Sequence, residues 1–191
     1  MRKYVKYIVI VLVILFFVVG ILVSDNSNKR VEISIKDYGK MVVELYRNAA
    51  PITVDNFLNL VNSEFYNNLT MHRIIDGFMI QGGDPDADGT GGSSKKIKGE
   101  FSSNGVNNNL SHVRGVISMA RSNDPNSASS QFFIMHKDNT SLDGNYAAFG
   151  KVINGIEVVD KIVDAVSDLG DDNGLIPKEN QPIIEYIKVI E

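Results

Sequence analysis

Arg73 and Gln81 are two polar residues in a segment rich in apolar residues and glycine, residues 71–84, which reads MHRIIDGFMIQGGD. Successive side chains of a strand point to opposite faces, so Arg73 and Gly77 begin on the same face. Gly77 can break this register before Gln81 is reached. A cation and an amide can therefore converge on one site beside apolar surface. Such a site suits a peptide substrate better than a small polar metabolite.

Four large apolar residues can be either core or the wall of a pocket: Phe78, Met79, Phe133 and Leu142. Composition alone favours core. Phe132 and Phe133 are consecutive on a predicted strand, however, so at least one of them must point away from the core. Phe78 and Met79, directly after Gly77, are also consecutive, so one of them should point away from the core as well. Alternation places Met79 on the face of Gln81 and Phe78 on the face of Ile80. These pairs favour an outward aromatic cluster near Arg73, which is typical of a binding pocket.

Many short strands and two helices must position these residues. Alternation around a turn at 37–39 predicts two strands within 31–46. Further strands are predicted near 70–75, 78–82, 115–120, 131–136, 147–152 and 183–190, and helices from Pro51 and over 155–166. This pattern predicts a mainly β fold, a closed antiparallel barrel with helices over its ends. Residues 84–109 are rich in Gly, Asp, Ser and Asn and predict a long loop that serves or supports a site.

Charge is distributed unevenly along the 191 residues. The whole chain carries a net charge of −4, but residues 31–191 hold 14 basic and 22 acidic residues, a net charge of −8. An acidic domain without a basic face is a poor nucleic-acid binder, so we expect no nucleic-acid partner. The absence of cysteine excludes a disulfide framework.

The N-terminus predicts a membrane anchor. Residues 7–23 are uncharged and follow three basic residues, Arg2, Lys3 and Lys6. We interpret residues 1–23 as an uncleaved signal anchor with one transmembrane helix, and 24–30 as a polar tether to a domain over 31–191. A cleaved signal peptide and a buried core helix are the alternatives. The early basic residues favour a cytoplasmic N-terminus, which would place the domain outside the cell membrane.

Metal binding has little support in the sequence. The acidic residues of 84–89 (DPDADG) match the opening of an EF-hand loop, but Lys95 stands where the bidentate glutamate belongs. The three histidines, at 72, 112 and 136, lack the spacing of zinc ligands. Because His72 neighbours Arg73 on a strand, we expect it to face the opposite side and serve packing or hydrogen bonding. We therefore predict no metal site.

Four blocks resemble the cyclophilin family of peptidyl-prolyl isomerases in order and spacing: residues 71–84, 115–120 (GVISMA), 129–134 (SSQFFI) and 142–152 (LDGNYAAFGKV). Residues 56–60 (NFLNL) are similar to the first helix of the family. The resemblance extends over 31–191 and implies an eight-stranded barrel capped by two helices. It implies a cofactor-free isomerase of a bacterial or archaeal cell that binds proline-containing peptides and unfolded or secreted proteins. A monomer is expected.

The resemblance also implies roles for nine residues. The catalytic residues are expected to be Arg73, Gln81, Phe78 and Phe133. Substrate-binding residues are expected to be Met79, Ala120, Arg121, Leu142 and Tyr146. In this assignment Arg73 donates hydrogen bonds to the twisting prolyl amide, Gln81 orients Arg73, and the apolar side chains hold the proline ring.

Three positions depart from the family pattern. Ser141 stands where many members carry the tryptophan associated with tight cyclosporin binding. We therefore expect this protein to bind cyclosporin weakly and the Ser141→Trp variant to bind it more tightly. Equal affinity of the two proteins in a titration would contradict this expectation. Tyr146 replaces a histidine of eukaryotic members, and Asp76 replaces a common proline. Two other functions stay open: a non-catalytic module that binds proline segments, and a chaperone-like structural partner in an envelope or secretion complex.

Overall fold

The fold is a strongly curled antiparallel sheet with two helices, as described over residues 28–190 by a computed structural model. The strands are β1 (Lys29–Ile35), β2 (Gly39–Leu45), β3 (Thr70–Ile75), β4 (Met79–Asp84), β5 (Val116–Met119), β6 (Phe132–Met135), β7 (Ala148–Asn154) and β8 (Ile184–Val189). The helices are α1 (Pro51–Asn62) and α2 (Glu157–Val166). The predicted strands and helices are thereby confirmed.

The sheet does not close, so the expectation of a closed barrel was wrong. Its strands follow the order β3-β4-β6-β5-β7-β2-β1-β8, which leaves β3 and β8 at the two edges. These edges meet at one isolated bridge, between Thr70 and Ile183, just before β8 begins. Beyond this bridge, β3 runs beside the irregular segment 174–176. The Ile74 N–H donates a hydrogen bond to the Gly174 carbonyl there at 2.8 Å. The result is a half-barrel, since no continuous ladder joins the edge strands.

Alternation along β4, β5 and β6 gives the sheet two apolar faces. Phe132 and Ile80 point inward and pack in the main core, together with side chains of α1 and α2. Phe133 and Met79 point outward and pack in a second, smaller cluster. The prediction that one residue of the Phe132–Phe133 pair faces away from the core is confirmed. The second cluster forms the apolar part of the site described below.

The long loop after β4 is attached to the start of α1. Ala50 provides no side-chain cap for this helix. Instead, the buried Glu100 carboxylate accepts hydrogen bonds from Ile52 N at 3.1 Å and from Thr53 N and Thr53 Oγ1, both at 2.7 Å. An anion at a helix N-terminus satisfies exposed N–H groups and the helix dipole. This contact anchors the loop that borders the site.

The predicted signal anchor, residues 1–23, lies outside the described residues. Within residues 28–190, no helix has the length and apolar character needed to cross a membrane. β1 begins at Lys29, so the last two residues of the predicted tether, Lys29 and Arg30, are part of this strand.

Candidate active site

Arg73 is held at the edge of the second apolar cluster by acceptors from two parts of the chain, the strand β4 and the segment around Asn173. Its Nε–H donates to the Asn173 carbonyl at 2.7 Å. Its Nη1 lies 3.4 Å from Gln81 Oε1 and 3.9 Å from the Met79 sulfur. Burial lowers the pKa of the Arg73 guanidinium, while Tyr146 and Asp171 act in the opposite direction. The side chain stays charged, because an arginine pKa lies far above neutral pH.

Gln81 is oriented by a relay of amides. Its Nε2 donates to Gln131 Oε1 at 2.8 Å, which leaves Oε1 of Gln81 facing Arg73. Gln131 in turn donates from Nε2 to the carbonyls of Gly89 and Gly91, at 3.0 and 2.8 Å. Each amide therefore has one consistent orientation, fixed by backbone carbonyls of the long loop. The predicted contact between Gln81 and Arg73 is present, and Gln131 is a partner that the sequence analysis missed.

The nine predicted site residues all line one cavity of about 230 Å³: Arg73, Phe78, Met79, Gln81, Ala120, Arg121, Phe133, Leu142 and Tyr146. Phe133 forms its floor. Alternation wrongly placed Phe78 on the face of Ile80, because Phe78 lies in the turn before β4, where its N–H donates to Ile75 O. The Phe78 side chain packs against the second apolar cluster instead.

A buried polar network supports the cavity floor from below. The His112 ring stacks on Phe133 at a centroid distance of 6.0 Å and an interplanar angle of 18°. His112 Nδ1 lies 2.8 Å from Asp143 Oδ1, and Nε2 lies 3.0 Å from Ser118 Oγ. This is the bonding order of a hydrolytic triad, but Ser118 is fully buried within β5 and cannot reach a substrate. The network fixes Phe133, and nothing in the sequence indicated it beyond the isolated histidine.

Arg121 forms the wall between this cavity and a neighbouring one. Its guanidinium carbon lies 4.8 Å from the Tyr146 ring centroid and 5.3 Å from that of Phe101. Its Nε donates to the Asn145 carbonyl at 3.0 Å. The neighbouring cavity has a volume of about 380 Å³. In the part of the chain that the structure describes, Lys96 and Arg121 are its only charged lining residues.

The acidic loop that resembles an EF-hand opening has a structural role. Both carboxylate oxygens of Asp84 accept backbone hydrogen bonds, Oδ1 from Asp86 N and Oδ2 from Asp88 N and Gly89 N. Within residues 28–190, no group of three or more metal-binding side chains lies together. His72, for which packing or hydrogen bonding was predicted, is fully buried and lines neither cavity. Neither ring nitrogen has a hydrogen-bond partner among the described residues, so its role is packing.

An apolar cavity with a fixed cation at its edge fits an apolar ring that is attached to a hydrogen-bond acceptor. Comparison with known proteins agrees with this chemistry. Residues 30–188 match the model of the family described as cyclophilin type peptidyl-prolyl cis-trans isomerase/CLD. A peptidyl-prolyl cis-trans isomerase of Acinetobacter baylyi is 38% identical over 171 residues, which cover 86% of this chain and 89% of that protein.

Peptidyl-prolyl cis-trans isomerase B of Escherichia coli is 39% identical over 163 residues, covering 81% of this chain and 96% of that protein. A cyclophilin type isomerase of Cryptosporidium parvum, solved in the presence of the dipeptide Ala-Pro, superposes with a TM-score of 0.74 at 33% identity. That comparison covers 85% of this chain and 99% of the solved chain. The chain therefore belongs to the cyclophilin type peptidyl-prolyl cis-trans isomerases, and its activity is the isomerisation of X-Pro bonds.

Two buried histidines predict a pH-dependent stability. Burial lowers the pKa of both His72 and His112. Below about pH 6.5 the unfolded state then binds more protons than the folded state, so the free energy of unfolding should fall as pH decreases. The slope is at most about 1.4 kcal/mol per pH unit for each histidine. Urea unfolding at pH 7.5 and 5.5 measures this difference.

His72→Leu is the informative variant, because His72 leaves no partner unsatisfied when it is removed, whereas loss of His112 would strand Asp143 and Ser118. We expect His72→Leu to lower the pH dependence. An unchanged dependence in this variant would show that His72 does not titrate differently in the folded state.

Proposed function

We propose that the 230 Å³ cavity holds the proline ring of an extended peptide and that Arg73 stabilises the twisted X-Pro amide. The observation that carries this proposal is the position of Arg73: two acceptors fix Nε and Nη1, and the guanidinium lies at the edge of an apolar cavity. Phe133, Met79 and Leu142 supply the apolar contact. Gln81 and the Asn173 carbonyl together hold the plane of the guanidinium.

The reaction requires little more than this arrangement. Cis and trans X-Pro forms differ by about 0.5–1 kcal/mol, but amide resonance imposes a barrier of roughly 18–20 kcal/mol. No bond forms and no cofactor or proton transfer is needed. An enzyme accelerates the rotation by binding the twisted amide more tightly than either planar form. Arg73 does so by donating to the proline carbonyl and to the prolyl nitrogen, whose lone pair is released as the bond twists.

The residues before the proline would lie across Ala120 and Arg121 into the 380 Å³ cavity. The Ala120 N–H already donates to the Gln131 carbonyl at 3.0 Å, so peptide pairing falls mainly to the backbone of Arg121. The other two functions left open by the sequence, a passive binding module and a structural partner, do not require a cation fixed beside the cavity. Arg73 and its two acceptors therefore favour catalysis.

Arg73→Ala should reduce kcat/KM by on the order of 10²–10³, the usual effect of losing one aimed donor. Arg73→Lys should restore little, because an ammonium cannot bond Asn173, Gln81 and substrate as one planar group. The assay is protease-coupled isomerisation of a proline tetrapeptide by residues 29–191. Arg47→Ala serves as the matched control, since Arg47 pairs with Asp55 and lines neither cavity. A folded Arg73→Ala variant within about twofold of wild type would disprove the role of Arg73.

We also propose that residues 1–23 anchor the domain in the cell membrane, with the domain on the extracytoplasmic side. Support comes from the sequence: an uncharged segment of 17 residues after three basic ones, without a small-residue cleavage site. Because β1 begins at Lys29, the tether shortens to residues 24–28, which reach at most about 18 Å. The net charge of −8 over 31–191 would be repelled by anionic head groups. Such a domain would act on chains that have just crossed the membrane.

Protease added to intact spheroplasts should digest the domain, and alkaline carbonate should leave the full-length protein in the membrane pellet. Protection from protease would place the domain in the cytoplasm instead. A mature protein beginning near residue 24 would identify residues 1–23 as a cleaved signal peptide.

A further inference from the structure

Residues 171–175 form a tight turn that is closed by one aspartate. Asp171 Oδ1 accepts hydrogen bonds from Asn173 N and Leu175 N, both at 2.9 Å. The backbone of Asp171 adds two more, from its N–H to Leu175 O at 3.1 Å and from Gly174 N to its own carbonyl at 2.8 Å. One side-chain oxygen thus accepts two of the four hydrogen bonds that define the turn.

The turn is also docked against β3 on both sides of Arg73. The Ile74 N–H donates to Gly174 O at 2.8 Å, and the Ile176 N–H donates to His72 O at 2.9 Å. Gly174 has a φ of +80°, and a Cβ at this position would collide with Ile75 Cγ1. The close approach therefore depends on glycine. It leaves the carbonyl of Asn173 directed at the Arg73 side chain.

The Asn173 carbonyl is the shortest hydrogen-bond partner of the Arg73 side chain among the described residues, at 2.7 Å from Nε. The contact to Gln81 is 3.4 Å long and therefore weaker. A guanidinium is planar, so fixing Nε and Nη1 fixes the direction of both Nη2 hydrogens. Loss of the Nε contact would let the plane rotate about the remaining weak bond.

We propose that Asp171 is a positioning residue for the isomerase: through the turn 171–175 it holds the Asn173 carbonyl that aims Arg73 at the substrate. This inference rests on the proposed role of Arg73. Asp171 is about 100 positions away from Arg73 in the chain and does not line the cavity. Its function depends on the acceptor oxygen, not on its charge, and this distinction makes the proposal testable.

Three variants distinguish a role of the Asp171 acceptor oxygen from a role of the Asp171 charge. Asp171→Ala removes both and should lower kcat about tenfold with KM within about twofold, because a misaligned donor weakens the transition state more than the bound substrate. Asp171→Asn keeps an acceptor without charge and should retain at least half of the wild-type kcat. Asp172→Ala is the matched control: it removes the neighbouring exposed carboxylate, which makes no hydrogen bond in the turn.

Hydrogen exchange of the Arg73 Nε–H, followed by NMR, provides a second measurement that does not depend on activity. Exchange should be slow in the wild type and in Asp171→Asn, and at least tenfold faster in Asp171→Ala. If Asp171→Ala does not fold, Asp171→Ser replaces it, since the shorter hydroxyl meets at most one of the two N–H groups.

Equal kcat and equal exchange in Asp171→Ala and wild type would overturn the proposal. So would an equal loss of kcat in Asp171→Asn and Asp171→Ala, which would indicate a charge effect. An inactive wild type would instead contradict the proposed function, while the exchange measurement would still test whether Asp171 positions Arg73.

Discussion

The desolvation of one cation governs the organisation of this site. A guanidinium at an apolar cavity loses water and must find acceptors in the protein. Arg73 finds them in Gln81 of the next strand and in the Asn173 carbonyl, which is 100 residues away in the chain. Both partners are fixed in turn, Gln81 by Gln131 and Asn173 by the turn at Asp171. The remaining N–H donors of Arg73 are therefore directed by the fold before any substrate arrives. Electrostatic catalysis requires this arrangement.

The sheet has two apolar faces: one packs in the core that stabilises the fold, and the other contributes to the cavity. Phe132 and Phe133 are adjacent, yet the first contributes to the main core and the second to the cavity floor. Phe133 is held from below by His112, whose two ring nitrogens contact Asp143 and Ser118. The same strand thus carries core packing on one side and a rigid cavity wall on the other. A half-barrel suffices for this, because the apolar strand residues that line the cavity, Met79 and Phe133, come from the outer face of β4 and β6 alone.

Much of the site could be predicted because side-chain chemistry and strand alternation are written in the sequence. Alternation predicted that one residue of the Phe132–Phe133 pair faces outward, and the nine residues implied by the family resemblance do line one cavity. Closure of the barrel could not be predicted, because it depends on how the two edge strands meet. The role of Asn173 was equally hidden, since its backbone carbonyl acts and carbonyls carry no residue signature. His112 looked like an isolated histidine because its partners, Ser118 and Asp143, come from separate elements.

We propose that the fold presents Arg73 to the proline of a bound peptide while the Asn173 carbonyl holds it from behind. A crystal structure with an extended X-Pro tetrapeptide measures this directly. We expect the proline ring on Phe133, with Arg73 Nη2 within hydrogen-bond distance of the proline carbonyl and Nε still bonded to the Asn173 carbonyl. A peptide bound elsewhere, or a proline in the cavity with Arg73 turned away from its carbonyl, would disprove this role of Arg73.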